Sequence, residues 1–550
     1  MPRVRSMVSS VLWMGRSQGI YSFLNAFKLF FITLFYSLLF KKLLILVINK
    51  FNDTIPKDNK NLYKEDKINN MKKRTKILAT IGPSSDSLEV IEKLIRAGVN
   101  VFRLNFSHGS HDSHLKVLNH IRQAEKNSGL LVGVLQDISG PKIRVGKLEE
   151  PFHLKKDDTI EFVQDEILGK QLDKNSYISC INQPTILKQL KKDEHIYLYD
   201  GMIRTTVISV NDGSVKVRVE NDGVLSSKKG VNFPNTRLGI DVLTTKDRID
   251  MLWGIENGVD FMAISFVQDA NDMIEARNIL NAHNNKTQLF AKIEKFDAVE
   301  NIDAILAVSD GIMVARGDLG IEVPYHEVPA LQKMLISKAN EASKPVITAT
   351  QMLLSMTTKE SATRAEISDI ANAVLDGTDA VMLSEESAVG INPILAVETM
   401  VKTIQGAEKI YPFNKHNIFT ISDATDSINS SAVKLCEDTD AWGILALTAS
   451  GSSVKKLARY RPRRDIYAVT HSDKVARFLT ICWGVVPAFM VQKNSLGQMM
   501  SEVMNQGLER NVLKLDKSYI LTAGDPVGVA GSTNMIRILR EREMLFFKSL

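Results

Sequence analysis

The sequence predicts an α/β protein: a (β/α)8 TIM barrel with an inserted small β-barrel domain and a C-terminal α/β domain with a mostly parallel sheet. Three observations predict it. Between residues 76 and 383, eight short apolar, β-branched runs alternate with longer stretches of helical period, the pattern of repeated βα units around a parallel sheet. Within that series, residues 147–232 switch to short alternating strands broken by Asp-Gly turns. Beyond Glu408 and a linker containing Pro412, a fresh α/β alternation begins. The expected division is therefore an extension over 1–70, barrel over 71–146 and 233–411, a β lid over 147–232, and a C-terminal domain over 412–550.

Taken in order, the barrel strands are expected over 76–82, 99–106, 130–137, 259–267, 288–294, 311–318, 345–351 and 378–383. Helices over 87–97, 247–257, 327–342 and 364–375 lie between them. Gly98, Gly258 and Gly377 stand just past the last periodic residues, where a left-handed cap is needed. In the insertion, turns are expected at Asp200-Gly201, Asn211-Asp212-Gly213 and Asn221-Asp222-Gly223. Because it leaves the barrel after a strand's C-terminal end, it overhangs the face where barrel enzymes place their sites, and can act as a lid. The last sheet is expected to use strands over 442–448, 465–470, 485–491 and 518–522.

The 550 residues are 44% hydrophobic and 24% charged, which excludes a disordered or collagen-like chain and implies several domains. The formal net charge is +6. Its surplus sits in the first 70 residues, with 11 Lys/Arg against 4 Asp/Glu; the rest carries 58 against 59, leaving no field for a polyanion, so no nucleic-acid partner is expected. Three scattered cysteines indicate neither a disulfide framework nor a zinc site, and fit a reducing compartment.

No acidic residue precedes Asp53, and an apolar run from Leu29 to Ile48 is interrupted by Lys41 and Lys42. Its fifteen Leu, Ile, Phe and Val side chains favour insertion by roughly 5–9 kcal/mol, against a cost of roughly 5–7 kcal/mol for two central lysines. Membrane anchoring or organelle targeting through residues 1–70 therefore stays open, but a cytoplasmic location is the reading adopted. Met71 opens Met-Lys-Lys-Arg-Thr-Lys-Ile-Leu, which reads as a natural start before a first strand and leaves open whether the extension belongs to the native protein.

Polar residues at the strand C-terminal ends converge on one site in a barrel. Here these are Arg103, Asn105 and Ser107 after the second strand, Asp137 after the third, Lys292 and Glu294 on the fifth, Arg316-Gly317-Asp318 on the sixth and Thr350-Gln351 on the seventh. Cations and carboxylates gathered in a barrel mouth are costly unless they pair or bind ions, so an anionic ligand and a metal are expected. Glu294 and Asp318 are oxygen donors suited to Mg²⁺, which takes one or two carboxylates and completes its shell with substrate and water. Lys292, two residues before Glu294, shares its side of the strand and is placed to stabilise a transferring phosphoryl group, with Arg103 gripping its oxygens. Gly317 would let a backbone N–H approach an anion. No Walker-type or kinase Gly-rich loop is present.

Met71 to Leu550 resembles the pyruvate kinase family over almost its whole length. The motifs are Ala-Thr-Ile-Gly-Pro at 79–83, Arg-Leu-Asn-Phe-Ser-His-Gly at 103–109, Asp137 with Gly-Pro-Lys-Ile-Arg at 140–144, Lys-Lys-Gly-Val-Asn at 228–232, Lys-Ile-Glu at 292–294, Ala-Arg-Gly-Asp-Leu-Gly at 315–320 and Ala-Thr-Gln-Met-Leu at 349–353. The resemblance implies transfer of a phosphoryl group from phosphoenolpyruvate to ADP, giving pyruvate and ATP in the last step of glycolysis. It implies Lys292, Arg103 and Thr350 as catalytic residues, with Arg103, Gly317, Asp318 and Thr350 contacting phosphoenolpyruvate. Arg144 and Lys229 would meet the nucleotide phosphates. Two Mg²⁺ per turnover are implied, one on Glu294 and Asp318 and one arriving with ADP.

A monovalent-cation region is implied at Asn105, Ser107, Asp137 and the Ile138 carbonyl. Relatives that require K⁺ typically have Glu where this chain has Lys142, so Lys142 resembles the K⁺-independent branch and K⁺ is not expected to be required. Thr448, Ser450, Gly451, Ser452 and Ser453 follow a strand and open a helix, resembling the family's pocket for a phosphorylated effector. A homotetramer is implied by the family alone. The competing reading is a Mg²⁺-dependent pyruvate-enolate lyase or aldolase on the same barrel, which would need neither the insertion nor Arg144 and Lys229.

Overall fold

The computed structural model describes residues 73–550 except 235, 416–417, 494 and 526–530. The extension and its apolar run lie outside the described residues. Among the described residues no helix is long and apolar enough to cross a membrane.

Eight parallel strands close into a barrel: β1 (Lys76–Thr80), β2 (Val101–Asn105), β3 (Gly133–Asp137), β4 (Phe261–Ile264), β5 (Gln288–Ile293), β6 (Gly311–Ala315), β7 (Val346–Ala349) and β8 (Ala380–Leu383). Each strand lies beside its predecessor, and β8 closes on β1 with Lys76 opposite Ala380. Alternation divides the buried side chains into two sets. Leu78, Val101, Leu135, Phe261, Phe290 and Met313 pack in one apolar cluster, Phe261 meeting Phe290 edge-on at 5.6 Å, while Ile77, Phe102, Val134 and Met262 pack in the cluster shared with the surrounding helices.

The helices begin and stop where their capping residues stand. Ser87 caps Leu88–Ala97 by accepting the Val90 N–H, and Thr363 forms a reciprocal capping box with Glu366 on Arg364–Asp376. Gly98, Gly258 and Gly377 all terminate helices at positive φ, as expected.

The strands are shorter than the apolar runs that predicted them. Residues 130–132 precede β3, and Arg316, Gly317 and Asp318, expected at the end of β6, form the first turn of the helix Arg316–Glu322. Thr350 and Gln351 lie beyond β7, both with positive φ, 71° and 55°. Of these residues Leu130 and Gln351 are exposed and Arg316, Gly317, Asp318 and Thr350 only half-buried, so the sequence pattern runs past the last ladder hydrogen bond without marking it.

Between β3 and β4 lies a mainly β layer with one seven-stranded sheet, one two-stranded sheet and a short 3-10 helix at Pro184–Lys188. The Asp212-Gly213 turn joins Ile203–Asn211 to Ser214–Val219 as a hairpin, and Asp200-Gly201 joins His195–Leu198 to Ile203–Asn211. Asn221-Asp222 closes no hairpin, because Gly223–Leu225 pairs instead with Phe152–Leu154. Phe162, Val207, Val215, Val217 and Leu225 form the layer's own apolar core.

The last sheet contains β9 (Gly443–Leu447), β10 (Asp465–Thr470), β11 (Val485–Met490), β12 (Tyr519–Gly524) and β13 (Thr533–Leu539), ordered β11-β10-β9-β12-β13. It is parallel except for β13, an antiparallel edge strand that the apolar pattern did not disclose because Asn534 and Arg537 interrupt it. Below the barrel, Arg461 donates to the Gly377 carbonyl at 2.6 Å and pairs with Asp379 at 3.0 Å, tying this layer to the start of β8.

Candidate active site

The mouth of the barrel is built on two largely buried cations, each 12% exposed, held among carboxylates. Arg103, near the end of β2, donates through Nε to Asp137 Oδ2 at 2.6 Å and through Nη1 to Thr80 Oγ1 at 3.0 Å. Lys292 on β5 places Nζ 3.2 Å from the other Asp137 oxygen and 2.8 Å from Glu294 Oε1. Asp137 is thus shared by both cations. Each pair is nearly buried, where an unmatched charge would cost several kcal/mol by order of magnitude.

These neighbours set the protonation states. Burial alone would raise the pKa of Asp137, but Lys292 and Arg103 outweigh it and hold the carboxyl below the ordinary range. Burial would likewise strip Lys292 of its proton, yet Asp137 and Glu294 together push its pKa above that of an ordinary lysine. Glu294 shifts opposite to Asp137. Burial first, and then the charge of Asp318 against the opposing pull of Lys292, raise its pKa.

A carboxylate whose ionisation is opposed by a neighbouring carboxylate, as Asp318 opposes that of Glu294, belongs to a donor set that a hard divalent cation relieves. Glu294 Oε2 accepts the Phe266 N–H at 2.7 Å, while Asp318 lies in the first turn of its helix and lines the cleft beneath the insertion. Among the described residues no group of three or more His, Cys, Asp or Glu is placed to hold a metal ion.

Thr350 is held in the left-handed region by its surroundings. Its hydroxyl donates to the Ala349 carbonyl at 2.7 Å and accepts the Gly317 N–H at 2.8 Å. The Gly317 N–H, expected to face an anion, is therefore given to Thr350. Arg316, expected in the mouth, turns away to the Thr350 carbonyl at 2.7 Å and to Asp369 at 2.6 Å. It acts as a brace for the strained peptide, since a left-handed non-glycine residue costs roughly 1–2 kcal/mol.

Residues 72–397 match the family model described as pyruvate kinase, barrel domain, and residues 426–539 match that described as pyruvate kinase, alpha/beta domain. The chain belongs to the pyruvate kinase family. The pyruvate kinase of Geobacillus stearothermophilus is 41% identical over 476 residues, covering 85% of this chain and 80% of its own. That of Agrobacterium vitis is 41% identical over 477 residues, covering 85% of this chain and 98% of its own. A solved pyruvate kinase from Cryptosporidium parvum superposes with a TM-score of 0.80 at 34% identity, covering 86% of this chain and 97% of its own. The chain is a phosphotransferase that converts phosphoenolpyruvate and ADP to pyruvate and ATP. A lyase or aldolase reading finds no support among these relatives.

Pyruvate kinases need a divalent metal, which the Glu294 and Asp318 pair suits. The remaining expected residues fall in three places. Arg144, just ahead of the insertion, and Lys229, within it, lie on adjoining segments, Arg144 donating through Nη1 to the Lys228 carbonyl at 3.0 Å and Lys229 lying 4.0 Å above the Tyr199 ring. Lys142 faces Asp200 of the insertion at 4.0 Å, and both line the cleft with Asn232, Lys295, Asp318 and Glu322. Asn105 Oδ1 accepts the Ser107 N–H at 3.1 Å, and the Ile138 carbonyl accepts a hydroxyl from Ser265 at 2.6 Å.

In the last layer, Gly451 caps the helix Ser452–Arg459 with φ 86°, its N–H given to Thr448 Oγ1 at 2.9 Å. Ser450 is exposed and Ser452 half-buried, but Ser453 is buried with its hydroxyl hydrogen-bonded to that of Thr533 at 2.6 Å. Two residues at the mouth, Ser265 and Phe266, were not singled out in the sequence. Their only signal is a position just past β4, at the same rim as the charged residues.

Proposed function

We propose that Lys292 and Arg103 grip the phosphoryl group of phosphoenolpyruvate as it passes to ADP, with Glu294 and Asp318 holding Mg²⁺ and Thr350 fixing the enolpyruvate portion. The observation that supports this most is the Lys292 ammonium seated between Asp137 and Glu294, with Arg103 on the far oxygen of Asp137. The bound ion would supply charge neutralisation to substrate oxygens. The protein's share is electrostatic: two fixed cations oppose the charge on the migrating group without reorganising when the bond to the enol oxygen breaks and the bond to the ADP oxygen forms. Gly317 supports Thr350 from behind, so its contribution to substrate runs through the threonine. The enolate left behind is then protonated to pyruvate.

Residues 71–146 and 233–411 form the barrel in this reading, 147–232 the lid and 412–550 the effector domain. Closure of the lid carries Lys229 onto the ADP phosphates, which also meet Arg144 at the barrel's edge, and a second Mg²⁺ arrives with the nucleotide. Activity needs no added K⁺, because Lys142 brings a fixed positive charge to that neighbourhood. The loop Thr448 to Ser453 takes a phosphorylated effector through Thr448, Ser450, Gly451 and Ser452, and the enzyme works as a cytoplasmic homotetramer.

The test is pyruvate formation from phosphoenolpyruvate and ADP by the parent and by Lys292→Met. Loss of about a thousandfold or more in kcat, equivalent to about 4 kcal/mol, is expected. A variant within about tenfold of the parent would overturn the assignment.

A further inference from the structure

Lys292 has three N–H donors, and the structure places an acceptor near each. Two are the carboxylates of Asp137 and Glu294; the third is Ser265 Oγ, at 2.7 Å. Ser265 is buried and follows β4, the strand between those that carry Asp137 and Lys292. Its hydroxyl has one hydrogen. The ammonium must donate to it, so that hydrogen goes to an acceptor, and the Ile138 carbonyl at 2.6 Å takes it in preference to Asp137 Oδ1 at 3.5 Å. A directed chain therefore runs from Lys292 through Ser265 to the backbone after β3.

The next residue carries a second link. Phe266 has φ 57°, a conformation unfavourable for a bulky side chain, and its N–H meets Glu294 Oε2 at 2.7 Å. Gly140 backs both residues: a Cβ there would lie 2.8 Å from the Phe266 ring and 3.0 Å from Ser265 Cβ, and its own φ is 69°. The left-handed backbone and the close packing thus hold one dipeptide whose two polar groups reach the phosphoryl-transfer lysine and a metal carboxylate.

We propose that Ser265 is a positioning residue for the reaction, holding the Lys292 ammonium on the substrate side while a carboxylate partner is exchanged for a phosphoryl oxygen. With its three donors saturated, Lys292 can engage a substrate oxygen only by giving up one acceptor. The neutral hydroxyl, anchored on Ile138, is the partner that need not change when the charges of the site do. Without it the ammonium is left to Asp137 and Glu294 alone and is drawn onto the carboxylates. The proposal rests on the reading of Lys292 given above.

The experiment compares Ser265→Ala, Ser265→Cys and Ser265→Thr with the parent, each checked for folding by its thermal midpoint and assayed well below it. Expected is a loss of about 30-fold in kcat for alanine and for cysteine, whose thiol is a poor substitute, equivalent to about 2 kcal/mol at 1.36 kcal/mol per tenfold, with KM for ADP unchanged. Threonine, which restores the hydroxyl, should recover activity to within about threefold. Folded alanine and cysteine variants as fast as the parent, or a threonine variant no better than alanine, overturn the proposal; should alanine not fold, cysteine carries the comparison. Lys292→Met in the same series separates the failures. If it keeps turnover, the role of Lys292 falls; if it is inactive while Ser265→Ala is unimpaired, only the positioning role falls.

Discussion

Asp137 on β3 and Lys292 on β5 face each other at 3.2 Å across the barrel mouth, although β4 lies between their strands. The pair exists because a closed barrel turns inward-facing residues of alternate strands into one layer. It also joins both cations of the site, since Arg103 takes the other oxygen of Asp137 at 2.6 Å.

Asp137→Asn is expected to destabilise the fold by about 3 kcal/mol near neutral pH, since removing one charge of a buried set leaves the others uncompensated. The folded carboxyl has a lowered pKa, because Lys292 and Arg103 overcome burial. Its contribution is therefore complete above the unfolded carboxylate range, near pH ~4, and is lost as pH falls through the lower folded value. Urea unfolding of parent and variant should show a steady gap from about pH 5 to 8 that narrows in stronger acid.

Divalent metal added without substrate should raise the thermal midpoint of the parent, by the equivalent of about 2.7 kcal/mol at a hundred times Kd. Asp318→Asn and Glu294→Gln should each remove most of that shift. Since burial and Asp318 raise the pKa of Glu294, metal affinity should weaken on acidification at a higher pH than an ordinary glutamate would dictate. Scanning calorimetry across a metal and pH series reads both effects.

In buffer free of Na⁺ and K⁺, adding K⁺ should stimulate turnover by less than about tenfold. Lys142→Glu, which removes the fixed cation beside Asp200, should make the enzyme respond to K⁺ by about tenfold or more. A parent enzyme as responsive as the variant would defeat the assignment.

Arg461→Met should lower stability by about 3–5 kcal/mol, because Asp379 would be left buried with its charge unmatched. Asp379 also accepts the N–H groups of Trp483 and Val346, at 3.0 and 3.1 Å, so those contacts should soften together. Denaturant unfolding gives the stability change, and fluorescence of the buried Trp483 should report the same transition.

Much of the architecture could be read locally. The helix stops at Gly98, Gly258 and Gly377 followed from φ > 0 alone, and the parallel barrel from eight alternations of period. Arg103, Asp137, Lys292 and Glu294 stood out because charges at strand ends are improbable unless used. Ser265 did not stand out, since a serine is unremarkable until its partners are known. The left-handed backbone of Phe266 leaves no trace in composition, and Arg316 looked like a mouth residue because a strand end and a first helical turn are indistinguishable by one charge.

Periodicity, capping and charge placement are properties of neighbours along the chain, and they were enough to assign the barrel and to single out Arg103, Asp137, Lys292 and Glu294 at its rim. Which partner each of those side chains takes is a different kind of fact. It depends on closure of a sheet whose first and last strands lie some three hundred residues apart, and the near-dry environment that closure creates makes hydrogen-bond partners and protonation states depend on one another.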